Sequence, residues 1–156
     1  MQRGINVSYI SDMRKYIGHA PMLTAGATVA VIKDGRLLLT LRSDTRTWGL
    51  PGGAIELGES LEETAARELK EETNLTAGGF KFLKLYSGKE LHFIYPNGDE
   101  LYTVTALYLA ENVTGELRVN DGESTGVGYF ALNEMPQLER RAAMIVGYLT
   151  GTGMLS

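Results

Sequence analysis

The spacing of hydrophobic residues changes along the chain between a helical period and an extended one. Apolar positions three or four residues apart suit helices, and runs rich in leucine and β-branched residues suit strands. Two hairpin signals, Asp34-Gly35 and Asn97-Gly98, mark turns. The predicted elements are helices over residues 7–17, 60–74 and 137–150, with strands over 24–33, 36–42, one or two within 80–95, 100–110, 116–119 and 127–130. This order predicts an α+β fold or α/β/α sandwich with a mixed β-sheet and a short N-terminal helix, and residues 41–51 are expected to be a loop.

Composition limits the function classes. The 156 residues fit one domain, and the lack of cysteine excludes disulfides, thiolate metal sites and cysteine nucleophiles. A formal net charge of −4 argues against a broad nucleic-acid surface, but it is compatible with a small phosphorylated ligand held through cations. The apolar runs are too short to span a bilayer and the N-terminus has no signal-peptide core, so a cytoplasmic location is expected.

Residues 52–75 form a glycine-rich segment that leads into an acidic helix. Ser60 and Glu63 have capping-box spacing, which predicts that the helix begins at Ser60. Glu68, Glu71 and Glu72 follow at i, i+3 and i+4, so three carboxylates share one region of the helix and repel each other. A hard divalent cation such as Mg²⁺ or Mn²⁺ would offset that repulsion. The alternative is a solvated acidic face with ordinary ion pairs.

The larger pattern resembles the signature of the Nudix hydrolase family. The matching positions are Gly53, then after five residues Glu59, then after seven residues Arg67-Glu68-Leu69-Lys70-Glu71-Glu72-Thr73-Asn74-Leu75. Asn74 is the one departure, because the family has Gly there, and Asn is the next best residue for a left-handed helix end. Together with the Trp48–Gly53 lead-in and a similar late strand, the likeness covers about residues 24–136.

The resemblance implies a pyrophosphohydrolase with Mg²⁺ as cofactor and Mn²⁺ as a substitute. The implied metal ligands are Glu68 and Glu72 first, then Glu71, Glu59 and the carbonyl of Gly53. Glu59 is alternatively a residue that bonds the loop. Arg67 belongs to the catalytic set, and we expect it to hold that loop through a carboxylate pair rather than to touch substrate.

The general base is harder to assign from the sequence. Glu123 precedes the late strand in a position that several members of the family use for a base or an extra metal ligand, and its alternative is an ordinary loop carboxylate. Glu71 is a competing base, and a third possibility is that no separate protein base is needed. Arg42 and Arg46 are candidate phosphate-binding residues or plain surface arginines.

The predicted middle strands carry the aromatic residues Tyr86, Phe93, Tyr95 and Tyr102. One of these four is a candidate to stack on a nucleobase, and most of them are expected to pack in the core or the sheet.

The sequence thus predicts a single Nudix hydrolase domain over residues 1–156. It comprises an N-terminal helical extension at 1–22 and a catalytic loop and helix at 52–75. The expected reaction is hydrolysis of a phosphoanhydride bond in a nucleoside diphosphate linked to another moiety, such as ADP-ribose, a nucleotide sugar, a nucleoside triphosphate or a dinucleoside polyphosphate. The alternatives are a non-catalytic nucleotide-sensing module and an RNA 5′-end pyrophosphohydrolase. The expected partner is a small nucleotide-type substrate, and binding to a membrane or to nucleic acid is not expected. The habit of the family implies a homodimer.

Overall fold

The computed structural model describes residues 8–156, so Val7, the first residue of the predicted N-terminal helix, lies outside the described residues. The helices are α1 (Tyr9–Ile17), α2 (Leu61–Thr73) and α3 (Arg140–Gly151). The strands are β1 (Met22–Ala30), β2 (Ile32–Lys33), β3 (Arg36–Arg42), β4 (Trp48–Gly49), β5 (Gly52–Ala54), β6 (Gly79–Tyr86), β7 (His92–Ile94), β8 (Glu100–Glu111) and β9 (Ser124–Phe130). Short 3₁₀ turns occupy Lys89–Leu91 and Leu132–Glu134.

Two sheets form the centre of the fold. The larger has the strand order β5-β1-β8-β6, with β7 also paired to β8. Its central pair, β1 and β8, is parallel over nine residues, and the other pairs are antiparallel. The smaller sheet has the order β2-β3-β4, with β9 paired to β3. The larger sheet is therefore mixed, as the sequence predicts.

Alternate residues of the central strands pack against helices on opposite sides. Ala27 and Val29 of β1 share one buried cluster with Leu69 of α2, whereas Ala30 belongs to a second cluster with Ile145 of α3. A strand that is buried on both faces needs apolar residues throughout, which explains the continuous apolar runs in β1 and β3. The predicted α/β/α sandwich with a short N-terminal helix is confirmed.

The ends of α2 agree with its sequence signals. The Ser60 side chain accepts a hydrogen bond from the backbone N–H of Glu63 at 3.1 Å, so Ser60 caps the helix and Leu61 is the first helical residue. Asn74 closes the helix in the left-handed conformation, with a φ of 66°. Asn74 thus takes the backbone conformation that favours glycine at this position.

The strand predicted over residues 116–119 is wrong. This stretch lies along the C-terminal end of α2, where Arg118 donates its backbone N–H to the carbonyl of Thr73 and Asn74 donates to the carbonyl of Glu116. Leu117 packs against the α2 side of the core. The end of α2 thus provides hydrogen-bond partners for this stretch in place of a neighbouring strand.

Three further boundaries differ from the prediction. Residues 24–33 divide into β1 and β2. Residues 41–51 contain the short strand β4, which pairs with β3. Helix α3 starts at Arg140 because Gln137 and Glu139 exchange backbone hydrogen bonds with Trp48 and so extend the chain beside β4. Within residues 8–156, no helix is long and apolar enough to cross a membrane.

Candidate active site

Helix α2 and strand β5 bring two glutamates against two glycines. The backbone N–H of Gly52 donates to Oε2 of Glu72 at 3.0 Å. One turn earlier on the helix, the carboxylate of Glu68 lies against Gly53, where an added Cβ would stand 2.3 Å from Oε1. A side chain at Gly53 would displace the carboxylate of Glu68, whereas a side chain at Gly52 would collide with the backbone of Ala27 and Thr28 in β1.

Arg67 joins the catalytic loop to the carboxylates of α2. Its guanidinium donates to both oxygens of Glu59 at 2.7 and 3.0 Å, and to the carbonyl of Ala54 at 3.0 Å. It also reaches Oε1 of Glu68 at 2.8 Å and Oε2 of Glu71 at 3.3 Å. Such multidentate contacts give Arg67 the geometry of a residue that holds the loop.

Glu59 is fully engaged within that loop. Besides Arg67, it accepts hydrogen bonds from the backbone N–H of Glu56 at 2.8 Å and the hydroxyl of Thr64 at 3.2 Å. The bonds from Arg67 are the main reason that the pKa of Glu59 is lowered to about 2. Of the two roles left open for Glu59, this geometry matches the one that bonds the loop.

Glu68 and Glu72 have the opposite electrostatic environment. Burial raises the pKa of Glu68 to about 7, with smaller contributions from the charges of Glu71 and Glu123 against the opposing effect of Arg67. Burial also raises the pKa of Glu72 well above its usual range, and the nearby charge of Glu68 adds to the shift. Two half-buried carboxyl groups whose pKa values are raised form a site in which a cation would be strongly stabilised.

The chemistry of these donors fits Mg²⁺ or Mn²⁺. Both ions prefer oxygen ligands, and Mg²⁺ commonly uses one or two carboxylates, with waters and substrate phosphates completing its coordination. Among residues 8–156, no three His, Cys, Asp or Glu side chains are grouped so as to hold one ion together. Arg67 draws both Glu68 and Glu71 into ion pairs. Glu68 and Glu72 therefore fit a cation whose remaining ligands come from outside the protein side chains.

A cleft of about 300 Å³ opens beside these glutamates. It runs between the catalytic loop, the central strands β1 and β8, and α1. The charged and aromatic side chains that line it include Arg42, Glu68, Glu72, Tyr95, Glu123 and Arg141. Carboxylates that suit a cation thus share one cleft with arginines that suit phosphate.

Glu123 lies in the loop before β9 and faces the glutamates of α2. Its charge raises the pKa of both Glu68 and Glu72. Its carbonyl accepts hydrogen bonds from the backbone and hydroxyl of Ser43, which fixes the loop, while its side chain is exposed. Glu71, the competing candidate base, is 45% exposed and ion-paired with Arg67.

Arg42 and Arg46 occupy different surroundings. Arg42 lines the cleft, where its guanidinium donates to both oxygens of Asp44 at 3.0 and 2.8 Å and lies over the ring of Tyr95. Arg46 is exposed in the turn between β3 and β4, in a left-handed conformation with a φ of 57°. Of these two arginines, only Arg42 therefore lines the cleft together with Glu68 and Glu72.

Arg141 is a cleft residue that the sequence analysis did not identify. It belongs to the first turn of α3, contacts Glu139 through Nε at 3.3 Å, and lies over the ring of Phe93. The Arg140-Arg141 pair is visible in the sequence, but its place in the cleft depends on α3 starting at Arg140. That position is 65 residues (140 − 75) after Leu75, the last residue of the signature. The cleft also includes Ser8, Ile10 and Arg14 from the N-terminal helical segment, which likewise had no assigned role.

Comparisons with known proteins agree with this geometry. The sequence model of one family, described as the NUDIX domain, matches residues 22–147. An "ADP-ribose pyrophosphatase" from Methanocaldococcus jannaschii is 33% identical over 131 residues, which cover 81% of this chain and 72% of that protein. A "MutT-like protein" from Streptomyces ambofaciens is 33% identical over 129 residues, covering 81% and 77% of the two chains.

Solved structures show the same fold. A MutT NUDIX hydrolase from Burkholderia pseudomallei has a TM-score of 0.69 at 29% identity, over 81% of this chain and 97% of that one. The NUDIX domain of Shewanella oneidensis NrtR, complexed with ADP ribose, has a TM-score of 0.65 at 24% identity, over 92% and 96% of the two chains. At this lower identity the likeness concerns the fold alone.

Proposed function

The chain belongs to the Nudix family and is a pyrophosphohydrolase, and on that premise we propose that it hydrolyses the phosphoanhydride bond of a nucleoside diphosphate linked to another moiety, with Mg²⁺ as cofactor. The observation that carries the proposal is the pair of half-buried glutamates, Glu68 and Glu72, set against Gly52-Gly53 in a cleft that also holds Arg42 and Arg141. ADP-ribose is the first substrate to test, because a relative 33% identical is named for its hydrolysis.

Glu68 and Glu72 would hold the cation, with Glu71 and the carbonyl of Gly53 as further donors. When bound, Mg²⁺ supplies the positive charge that offsets these carboxylates and the charge of the diphosphate. Mn²⁺ offers the same oxygen-seeking chemistry. Arg67 keeps the glutamates in place through its bonds to Glu59 and Ala54.

The remaining cleft residues would act on the phosphates and on water. Arg42 and Arg141 offer planar guanidinium groups that can bind phosphate oxygens through paired hydrogen bonds. Glu123 is the candidate base that accepts a proton from the attacking water, because it faces the glutamates from an exposed loop. Glu71 is the alternative base, although its pairing with Arg67 lowers its suitability.

A substrate screen tests the proposal. Purified protein is incubated with Mg²⁺ and with ADP-ribose, nucleotide sugars, NADH, nucleoside triphosphates, dinucleoside polyphosphates or 5′-triphosphorylated RNA. Phosphate is measured after a coupled phosphatase for substrates without a terminal phosphate, and after inorganic pyrophosphatase for the triphosphates. We expect turnover that stops with EDTA and is absent in Glu72→Gln. Tight ADP-ribose binding without turnover would instead indicate a sensing module, and release of phosphate only from 5′-triphosphorylated RNA would indicate an end-processing enzyme.

The cytoplasmic location expected from the sequence and the homodimer expected from the habit of the family both stay predictions. Light scattering during size-exclusion chromatography would test the second.

A further inference from the structure

The N-terminal helix lies outside the part of the chain that matches the family, yet it lines the cleft. The match covers residues 22–147, whereas α1 spans Tyr9–Ile17. Ser8, Ile10 and Arg14 line the same cleft as the metal-site candidates Glu68 and Glu72. The part of the chain that matches the family model therefore provides the glutamates, and the segment before it provides part of the opposite wall.

Helix α1 is positioned by polar contacts at its two ends. None of its nine residues is buried, so apolar packing adds little to its stability in this place. At its first turn, the backbone N–H of Tyr9 donates to Oε2 of Glu56 at 2.9 Å. An N-terminal N–H of a helix has no partner within the helix, and a carboxylate is the strongest acceptor for it.

Glu56 connects α1 to the catalytic loop. It stands between β5 and α2, lines the cleft, and donates its own backbone N–H to Oε1 of Glu59 at 2.8 Å. Glu59 in turn is held by Arg67, which also holds Glu68. Direct hydrogen bonds thus run from the start of α1 to a glutamate of the candidate metal site.

Arg14 fastens the other end of α1. Its guanidinium donates to the carbonyls of Gly18 at 3.1 Å, Ala20 at 2.6 Å and Glu100 at 2.8 Å, and its Nε lies 3.7 Å from Asp99. Its side chain is only 12% exposed. Because Glu100 begins β8, this contact fixes α1 against the strand whose next residues line the cleft.

The lining of the cleft near α1 combines charged, apolar and hydroxyl-bearing residues. Arg14 and Asp99 are among them, but the guanidinium of Arg14 already donates to three backbone carbonyls and lies 3.7 Å from Asp99. Ile10, Leu101 and Thr103 also line the cleft. Apolar surface with a few hydrogen-bonding groups suits a nucleoside or sugar, so this part of the lining fits the group attached to the diphosphate.

We infer that α1 is the specificity wall of this cleft. It contacts the nucleoside or sugar attached to the diphosphate, and Glu56 and Arg14 are the positioning residues that set its place. The inference rests on the proposed function and assigns a part of the substrate to this wall. Variants that remove a contact of α1 should weaken substrate binding. Variants that remove the contact between Glu56 and Tyr9 should also disturb the loop that carries Glu59.

Kinetic variants separate the two effects. With ADP-ribose as the probe, Ile10→Ala and Arg14→Ala should raise KM about fivefold to tenfold, the effect of one lost contact, and leave kcat within about twofold. Glu56→Ala should raise KM and also lower kcat, and Glu56→Gln should restore both because its amide oxygen still accepts the Tyr9 N–H. Lys15→Ala, on the exposed face of α1, is the matched control.

Binding measured without catalysis keeps this test independent of the proposed reaction. Calorimetric titration of ADP-ribose with Ca²⁺ in place of Mg²⁺, which keeps an oxygen-seeking cation in the site, should show weaker binding for Ile10→Ala and Arg14→Ala than for wild type. Melting curves confirm that the variants fold. Wild type that binds but turns nothing over would contradict the proposed function alone. The assignment of α1 as the specificity wall would be overturned by unchanged KM and affinity in both variants. It would also be overturned if wild type had no affinity for any of the screened nucleotides.

Discussion

The carboxylate of Glu68 lies directly against the backbone of Gly53, and any side chain at position 53 would displace it. A Cβ built there stands 2.3 Å from Oε1 and 2.6 Å from the carboxyl carbon. These distances are far shorter than an ordinary contact, so the loop glycine and the helix glutamate form one unit.

Gly53→Ala should lower kcat about 100-fold, because a misplacement of about 1 Å at a catalytic group has an effect of that size. The protein should still fold, since the Glu68 side chain can move aside. Gly147→Ala is the control, because a Cβ there meets no atom within 4 Å. Normal kinetics in Gly53→Ala would show that the position of Glu68 does not matter for turnover.

Glu72→Gln should abolish Mg²⁺-dependent turnover, with a loss of at least about 100-fold, while the amide oxygen still accepts the Gly52 N–H and preserves the fold. Steady-state rates and circular dichroism check the two parts. Glu63→Gln, on an exposed position of the same helix, should behave as wild type. Near-normal turnover in Glu72→Gln would remove it from the metal site.

Glu123→Gln should lower kcat by about 100-fold or more if Glu123 is the base. The amide keeps the size of the side chain, and the backbone contact of Glu123 with Ser43 is unaffected. A change in KM alone would assign Glu123 to substrate binding. The same measurement on Glu71→Gln decides between the two candidates. Replacing the base should lower kcat and also remove the pH dependence of kcat, whereas replacing the other glutamate should not remove that pH dependence.

Arg141→Ala and Arg42→Ala should each raise KM for a diphosphate substrate about tenfold to 100-fold, as expected for a lost charge-assisted hydrogen bond. Arg46→Ala should leave KM unchanged, since Arg46 lies in an exposed turn away from the lining of the cleft. Initial-rate kinetics on the best substrate of the screen measures all three. An effect of Arg46→Ala as large as that of Arg42→Ala would contradict the assignment.

The stabilisation by Mg²⁺ should increase with pH. The pKa of Glu68 is raised to about 7 in the folded protein, so the folded state binds this proton more tightly than the unfolded chain does. Its contribution to stability is complete below about pH 4.5 and is lost as the pH rises through about 7. If Glu68 and Glu72 hold Mg²⁺, they do so as ionised carboxylates, so binding of the ion would offset this loss.

Melting temperatures with Mg²⁺ or EDTA between pH 5 and 8.5 measure the effect, and Glu72→Gln serves as the control with a reduced shift. An Mg²⁺ shift that is equal at both ends of the pH range would contradict a cation held by Glu68 and Glu72.

The sequence alone determined the parts of this protein that depend on local spacing. The i, i+3, i+4 pattern places Glu68, Glu71 and Glu72 on one region of a helix, and Ser60 and Asn74 mark its ends, because capping and helical periodicity are set by neighbouring residues. The alternation of apolar runs and turns likewise predicted the layered fold. The strand predicted over residues 116–119 failed because α2, distant in sequence, satisfies its backbone.

Only the tertiary structure decided which residues share the cleft. Arg141 reaches the cleft because pairing with β4 keeps residues 137–139 extended, so that α3 starts at Arg140. Helix α1 reaches the cleft because Glu56 and Arg14 join it to segments 47 and 86 residues away in sequence. The choice between Arg42 and Arg46 also depended on the turn between β3 and β4. Long-range contacts of this kind leave no periodic signal in the chain, because each depends on how elements that are far apart in the sequence pack together in space.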